Sequence, residues 1–271
     1  MIRLGLAMLV AGVLLGACAT PAPPLMPPAG FQRSAPAKVQ LIYVGGNSQH
    51  CDGNARQLLG HWRTVADDIA GALAIGVEEI NRHYYSWTGD TFDQGAGCVP
   101  NPFQDIWEGQ RRMLTHLDAL ETFDDPTQLI VIVGYSNGGA TAFDLADALC
   151  ARGQHVSLLI TLDPVSRLGP RAEHLGAQTW LNVFIEAHSL IIFSGRPWRG
   201  NAPESSLNRL VLDARHRHVD RMWAEVARSD QFAAWGAAAR RGLGVAPATA
   251  PTCRRIGSRD PRRYRDDEDD N

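Results

Sequence analysis

The chain has 271 residues, of which 45% are hydrophobic and 20% charged, as in a globular protein long enough for one large α/β domain or two small ones. A formal net charge of -3 gives no basis for a nucleic acid partner.

The N-terminus reads as an export signal. Arg3 precedes an apolar run from Leu4 to Leu15, followed by small residues. The run is shorter than the roughly 20 residues of a membrane-spanning helix. Its end, Leu15-Gly16-Ala17-Cys18, resembles the lipobox of bacterial lipoproteins. The resemblance implies that Cys18 carries the lipid and begins the mature protein. Ala19, where retained lipoproteins have Asp, implies the outer membrane of a Gram-negative cell, with the domain facing the periplasm. The alternative is a plain secretory signal cut near Ala17 or Ala19; both place the domain outside the cytoplasm. Thr20 to Pro36 carries six prolines (Pro21, Pro23, Pro24, Pro27, Pro28 and Pro36) and lacks periodicity, so it is expected to be an extended spacer. The expected organisation is a signal at 1–18, a Pro-rich linker at 19–37, an α/β domain at 38–245 and a charged tail at 246–271.

Val39 to Val44 reads as a strand that ends in Gly45-Gly46-Asn47-Ser48. Gln57 to about Val77 reads as a helix, with Trp62, Val65, Ile69 and Leu73 on one side. Ile80 to Trp87 alternates like a second strand, and Thr91 to Pro102 is a Gly- and Pro-rich loop expected at a substrate rim. Asp105 to Leu120 is amphipathic and is stopped by Asp124-Asp125-Pro126.

The most informative stretch is Gln128 to Arg152. A β-branched run, Leu129 to Val133, enters Gly134-Tyr135-Ser136-Asn137-Gly138, and Phe143, Ala146, Leu149 and Cys150 then recur at helical spacing. Strand, tight turn and helix around G-x-S-x-G is the context of a nucleophile elbow, with the serine hydroxyl exposed on a strained turn. Gly134 and Gly138 are needed because a Cβ at either would collide where strand and helix backbones meet. Gly153 supplies a C-terminal cap. The competing readings are an ordinary tight turn and a phosphate loop at a helix N-terminus. Neither G-x-x-x-x-G-K-[ST] nor G-x-G-x-x-G accompanies the motif, and no cofactor is implied.

Val156 to Leu162 is an apolar run of the kind buried on both faces of a parallel sheet, and it ends in Asp163-Pro164-Val165. Trp180 to Ala187, Leu190 to Phe193 and Arg209 to Leu212 are further strand candidates. Strands alternating with helices predict a doubly wound, mostly parallel α/β sheet flanked by helices. Arg254 to Asn271 has no apolar face and is expected to be a solvated tail. Apart from Cys18, the cysteines are Cys51, Cys98, Cys150 and Cys253, an even number in an oxidising compartment. The favoured pairs are Cys51 with Cys98, both in loops beyond strand ends, and Cys150 with Cys253, which would staple the tail to the helix after the elbow. Free buried thiols are the alternative.

A serine hydroxyl needs a base within reach and a third group to orient that base. Asp163 lies at a strand end, where parallel sheets collect catalytic groups. It competes with a turn-forming role before Pro164, and Asp213 and Asp220 are rival acids. His216 and His218 follow late in the chain, whereas His50, His61, His83, His116, His155, His174 and His188 have no ordered context. His216-Arg217-His218-Val219-Asp220 also spells H-x-H-x-D, but Arg221 stands where the next histidine of that zinc signature belongs, and no metal is expected.

Taken together, Gly45-Gly46, Gly134 to Gly139, Leu162-Asp163-Pro164-Val165, Trp180-Leu181-Asn182-Val183 and His218-Val219-Asp220 resemble the α/β-hydrolase superfamily of serine esterases, lipases and thioesterases. The resemblance spans roughly Val39 to Trp235. It implies a Ser136, Asp163, His218 triad, with His218 favoured over His216 because it stands just before Val-Asp. It also implies an oxyanion hole built from the amides of Asn137 and of Gly46 or Asn47. The expected activity is hydrolysis of a small-molecule or lipid carboxylic ester or thioester. No large hydrophobic lid is identifiable, which argues against long-chain triacylglycerol. The alternatives are a non-catalytic envelope lipoprotein that keeps this fold as a binding module, and a metallohydrolase.

Overall fold

The computed structural model describes residues 37–46, 55–87, 91–93, 97–99, 109–166, 174–185, 196–197, 205–248 and 253–255. Cys18 and the export segment, the linker, Asn47, Cys51 and the strand expected at Leu190 to Phe193 lie outside them.

Six parallel strands form the body of one sheet: β1 (Val39–Gly45), β2 (Ile80–Ser86), β5 (Leu129–Tyr135), β6 (Val156–Leu162), β9 (Ala177–Ile185) and β11 (Leu207–Val211). The short strands β3 (Thr91–Asp93) and β4 (Gly97–Val99) extend it antiparallel beyond β2, giving the order β11-β9-β6-β5-β1-β2-β3-β4. The Gly-rich segment expected to be a loop thus begins as a small hairpin. Cys98 lies on β4, where the described structure is the backbone alone.

Successive residues on a strand point to opposite faces, and here both faces are apolar, as a sheet covered on both sides requires. Leu41, Tyr43, Val131, Val133, Leu158, Ile160, Leu181 and Val183 face one layer of helices, and Ile42, Val44, Ile130, Ile132 and Leu159 face the other. The first layer is α1 (Ala55–Leu73), α4 (Val219–Ala227) and α5 (Asp230–Gly242), which contribute Trp62, Val65, Ile69, Met222, Trp223, Phe232 and Trp235. The second layer is α2 (Gly109–Ala119) and α3 (Asn137–Ala151), which contribute Met113, Leu117, Phe143, Ala146 and Leu149. This is the expected doubly wound, mostly parallel α/β architecture.

The chain reverses its direction of growth at the middle of the sheet. From β1 it passes through α1 to β2 on one side; β5 then lies on the other side of β1, followed by β6, β9 and β11. The C-terminal ends of β1 and β5 therefore diverge at a topological switch point, where open α/β sheets form their binding crevice. Gly45 and Ser136 stand at that point.

Cys150, near the end of α3, forms a disulfide with Cys253. Two short antiparallel pairs lie outside the main sheet: β7 (Val165–Ser166) with β10 (Arg196–Pro197), and β8 (His174–Leu175) with β12, a two-residue strand formed by Arg254 and Arg255 where a solvated tail is expected to begin. Beyond the disulfide the chain is thus still bound to the domain through backbone hydrogen bonds.

Candidate active site

The turn after β5 is built by close backbone approach. A Cβ on Gly138 would lie 2.2 Å from the carbonyl oxygen of Val44 and 2.4 Å from that of Gly45, and one on Gly134 would lie 2.5 Å from both Gly138 O and Ala142 Cβ. Only glycine lets α3 start this close to β1. The serine between them has φ 58° and ψ -129°, a conformation that L-residues rarely adopt. Its backbone is held by Ser136 N donating to Leu162 O (3.0 Å), while Gly139 N (2.8 Å) and Val165 N (3.1 Å) donate to Ser136 O. Asp163, just past the neighbouring strand β6, also has a positive φ of 45°. Two non-glycine residues in such conformations, at about 1–3 kcal/mol each, mark a site where the surroundings hold geometry against local preference.

Three side chains from three strand ends meet here. His216 Nε2 lies 2.7 Å from Ser136 Oγ, and His216 Nδ1 lies 2.5 Å from Asp163 Oδ2. With the proton on Nδ1 donated to the carboxylate, Nε2 is left as the acceptor for the serine hydroxyl. Asp163 is fully buried, and its second oxygen faces the backbone N–H of Ile185 at 3.4 Å. Ser136 is also buried, and the His216 side chain is about one-fifth exposed. The set can pass a proton from hydroxyl to imidazole while a buried anion steadies the resulting charge.

The imidazole in contact with Ser136 is His216, which corrects the expectation of His218. His218 is the N-cap of α4, and its Nδ1 accepts from the N–H of Arg215 at 3.1 Å. The physical reason lies in the helix that follows. Val219, Met222, Trp223 and Val226 are buried along one face of α4, so His218 is fixed at the helix entrance and His216 is left in the turn. That i, i+3, i+4, i+7 spacing was the sequence signal that could have separated the two histidines.

The rival acids are placed elsewhere. Asp220 Oδ1 lies 2.8 Å from His61 Nδ1 across the α1–α4 interface, and Asp213 accepts through its backbone carbonyl from Arg221. Burial pushes the pKa of His61 down, partly offset by Asp220. A cleft of about 650 Å³ between these helices is lined by His61, Asp68, Asp220, Trp223 and Arg228, away from the Ser136 set. Among the described residues, no group of three His, Cys, Asp or Glu side chains converges as a metal site. Within H-x-H-x-D, His216 faces Ser136, His218 faces its own turn and Asp220 faces His61.

Gly46 packs directly on the serine: a Cβ there would stand 2.6 Å from Ser136 Cβ and 3.1 Å from its Oγ. Asn137 is the first residue of α3, where a backbone N–H has no carbonyl a turn earlier to bond. Its carboxamide is buried beside the serine, and among the described residues neither Oδ1 nor Nδ2 has a hydrogen-bond partner.

No family model and no curated relative matches the chain. Among solved structures, it is similar to a protein from Xanthomonas campestris pv. campestris assigned as a hydrolase of the α/β superfamily, at 19% identity over 72% of this chain and 96% of that one, with a TM-score of 0.41. A protein from Agrobacterium vitis S4 assigned as a hydrolase is similar at 19% identity over 78% and 91%, with a TM-score of 0.41. An esterase/lipase from an uncultured bacterium is similar at 14% identity over 76% and 78%, with a TM-score of 0.40. Similarity of this degree leaves the chemistry to be read from Ser136, His216 and Asp163 themselves.

Proposed function

We propose that the protein is a serine hydrolase that cleaves a carboxylic ester or thioester through an acyl-enzyme. The observation that carries this reading is the hydrogen-bonded relay from Ser136 Oγ to His216 Nε2 (2.7 Å) and from His216 Nδ1 to Asp163 Oδ2 (2.5 Å) at the switch point of the sheet.

Ser136 Oγ attacks the carbonyl carbon as His216 Nε2 takes the hydroxyl proton. Asp163 holds the imidazole in the tautomer with Nδ1 protonated and stabilises the imidazolium that forms. The backbone N–H of Asn137, with a second donor from Gly46 or Asn47, receives the developing oxyanion, a contribution of about 3 kcal/mol per donor. His216 then protonates the departing alcohol or thiol. Water, deprotonated by the same imidazole, releases the acid. No step calls on a cofactor.

The substrate is a small-molecule or lipid ester. In this reading the domain works in the cell envelope, anchored through a lipid on Cys18 and facing the periplasm. Full-length protein purified in detergent should hydrolyse p-nitrophenyl esters, with a chain-length optimum that separates short acyl groups from lipid. Ser136→Ala should abolish turnover without loss of fold. Full activity of that variant refutes the nucleophile, and a folded wild type inert to every ester favours a binding module.

A further inference from the structure

The nucleophile and the base are joined by a side chain that the relay itself does not use. Tyr135, the residue before Ser136, ends β5 with its side chain buried on the α1, α4 and α5 face. Its hydroxyl donates to the backbone carbonyl of His216 at 2.6 Å. Its ring also stacks on the His216 imidazole, with centroids 5.1 Å apart and planes inclined by 28°. One side chain therefore fixes both the backbone position and the ring plane of His216.

The turn that carries His216 needs such support. It leaves β11, the strand at the sheet's edge, and enters α4, and among the described residues the hydrogen bonds of its backbone, the Tyr135 bond aside, are local. Arg215 N–H reaches His218 Nδ1, His218 N–H reaches Arg215 O, and Arg221 reaches Asp213 O. These bonds shape the turn without holding its backbone to the elbow, and the imidazole bonds to Ser136 and Asp163 are the very contacts whose alignment has to be kept. An imidazole's rotation about its second side-chain torsion is intrinsically broad. Contacts of 2.7 and 2.5 Å at its two nitrogens demand one orientation.

Building on the serine hydrolase reading, we infer that Tyr135 is a positioning residue for the catalytic base, and that it holds His216 in register with Ser136 through a phenol-to-carbonyl bond and an aromatic stack. Because Tyr135 is covalently next to Ser136, a shift of the elbow carries the base with it, and the distance between hydroxyl and imidazole is kept. The hydroxyl also stays a donor at any working pH. Burial, reinforced by the nearby Asp163 charge, raises its pKa above the ordinary tyrosine value.

The test is a kinetic comparison on full-length protein with p-nitrophenyl butyrate, alongside the labelling rate with a fluorophosphonate. Tyr135→Phe removes one oxygen and keeps the ring. It should lower kcat about five-fold with KM unchanged, the loss expected when a base aligned by one net hydrogen bond is left to misalign in the chemical step while substrate binding is untouched. Tyr135→Leu removes the ring as well and should cost about ten-fold more. In a His216→Ala background, Tyr135→Phe should change the residual rate no further, because no imidazole remains to be held. A Tyr135→Phe rate equal to wild type, a loss carried by KM, or the same loss persisting without His216 would each overturn the positioning role and leave the serine hydrolase reading standing. A wild type that neither labels nor turns over defeats both.

Discussion

Gly46 offers a quantitative probe of the site because its neighbour is the nucleophile. Replacing it by Ala places a methyl carbon 2.6 Å from Ser136 Cβ and 3.1 Å from Oγ. Unbonded carbons rest about 3.5–4.0 Å apart, so about 1 Å must be found. The serine backbone is pinned through its N–H to Leu162 and through its carbonyl to Gly139 and Val165, so the elbow resists moving as a body. What yields is the Ser136 side chain or the turn at Gly46, and either displaces a group that the proposed mechanism needs. A misplacement of about 1 Å costs about 100-fold in rate, or about 2.7 kcal/mol of transition-state stabilisation. Overpacking should also lower global stability by about 1–3 kcal/mol. Gly46→Ala should therefore be folded by urea titration and circular dichroism, yet slowed about 100-fold in kcat/KM on p-nitrophenyl butyrate. A Gly46→Ala enzyme that works at the wild-type rate would refute the packing of this turn on the nucleophile.

Acid stability should report on His83, which is buried with Nε2 donating to Gln40 Oε1, while Gln40 in turn donates to Gln128 Oε1. Burial, with a lesser contribution from His116, lowers its pKa from 6.5 to about 3. The unfolded chain therefore takes up this proton before the folded one, so stability is full above pH 6.5 and falls as the pH drops toward 3. At about 1.4 kcal/mol per unit, lowering the pH from neutral to about 5 costs about 2 kcal/mol through this group. His83→Gln should lose that much less than wild type over the same interval in urea titrations; identical pH dependence would contradict the assignment. Cys150 and Cys253 are 103 residues apart, and replacing both by Ser should lower stability by about 2–4 kcal/mol. Ester hydrolysis should persist in that variant, since Cys150 lies about 20 Å along α3 from Ser136. Loss of turnover in a folded Ser variant would show that the disulfide shapes the site.

The parts of the fold carried by short-range pattern were legible in the chain. Runs such as Val156 to Leu162 carry apolar residues on both faces because both faces of the sheet are covered, and the glycines around Ser136 reflect the close backbone approach that any such turn requires. Asp163 could be singled out because it ends one of those runs. The histidine was harder to choose. His216 and His218 differ only in how α4 begins, and reading 216–220 as a motif concealed the helix phase of Val219, Met222, Trp223 and Val226. Helices α4 and α5 were hard to read for a related reason: Asp220, Arg221 and Glu225 interleave with the buried residues of α4, and the Ala-rich α5 buries only Phe232, Trp235 and Gly236. The bond from Tyr135 to His216 spans 81 residues, a pairing that no local pattern encodes.

Active-site labelling by a fluorophosphonate across wild type, Ser136→Ala, His216→Ala and His218→Ala measures the central claim directly. Wild type and His218→Ala should label at similar rates, Ser136→Ala not at all, and His216→Ala slower by orders of magnitude. Labelling that survives in Ser136→Ala, or that is lost in His218→Ala while His216→Ala keeps it, would contradict the assignment.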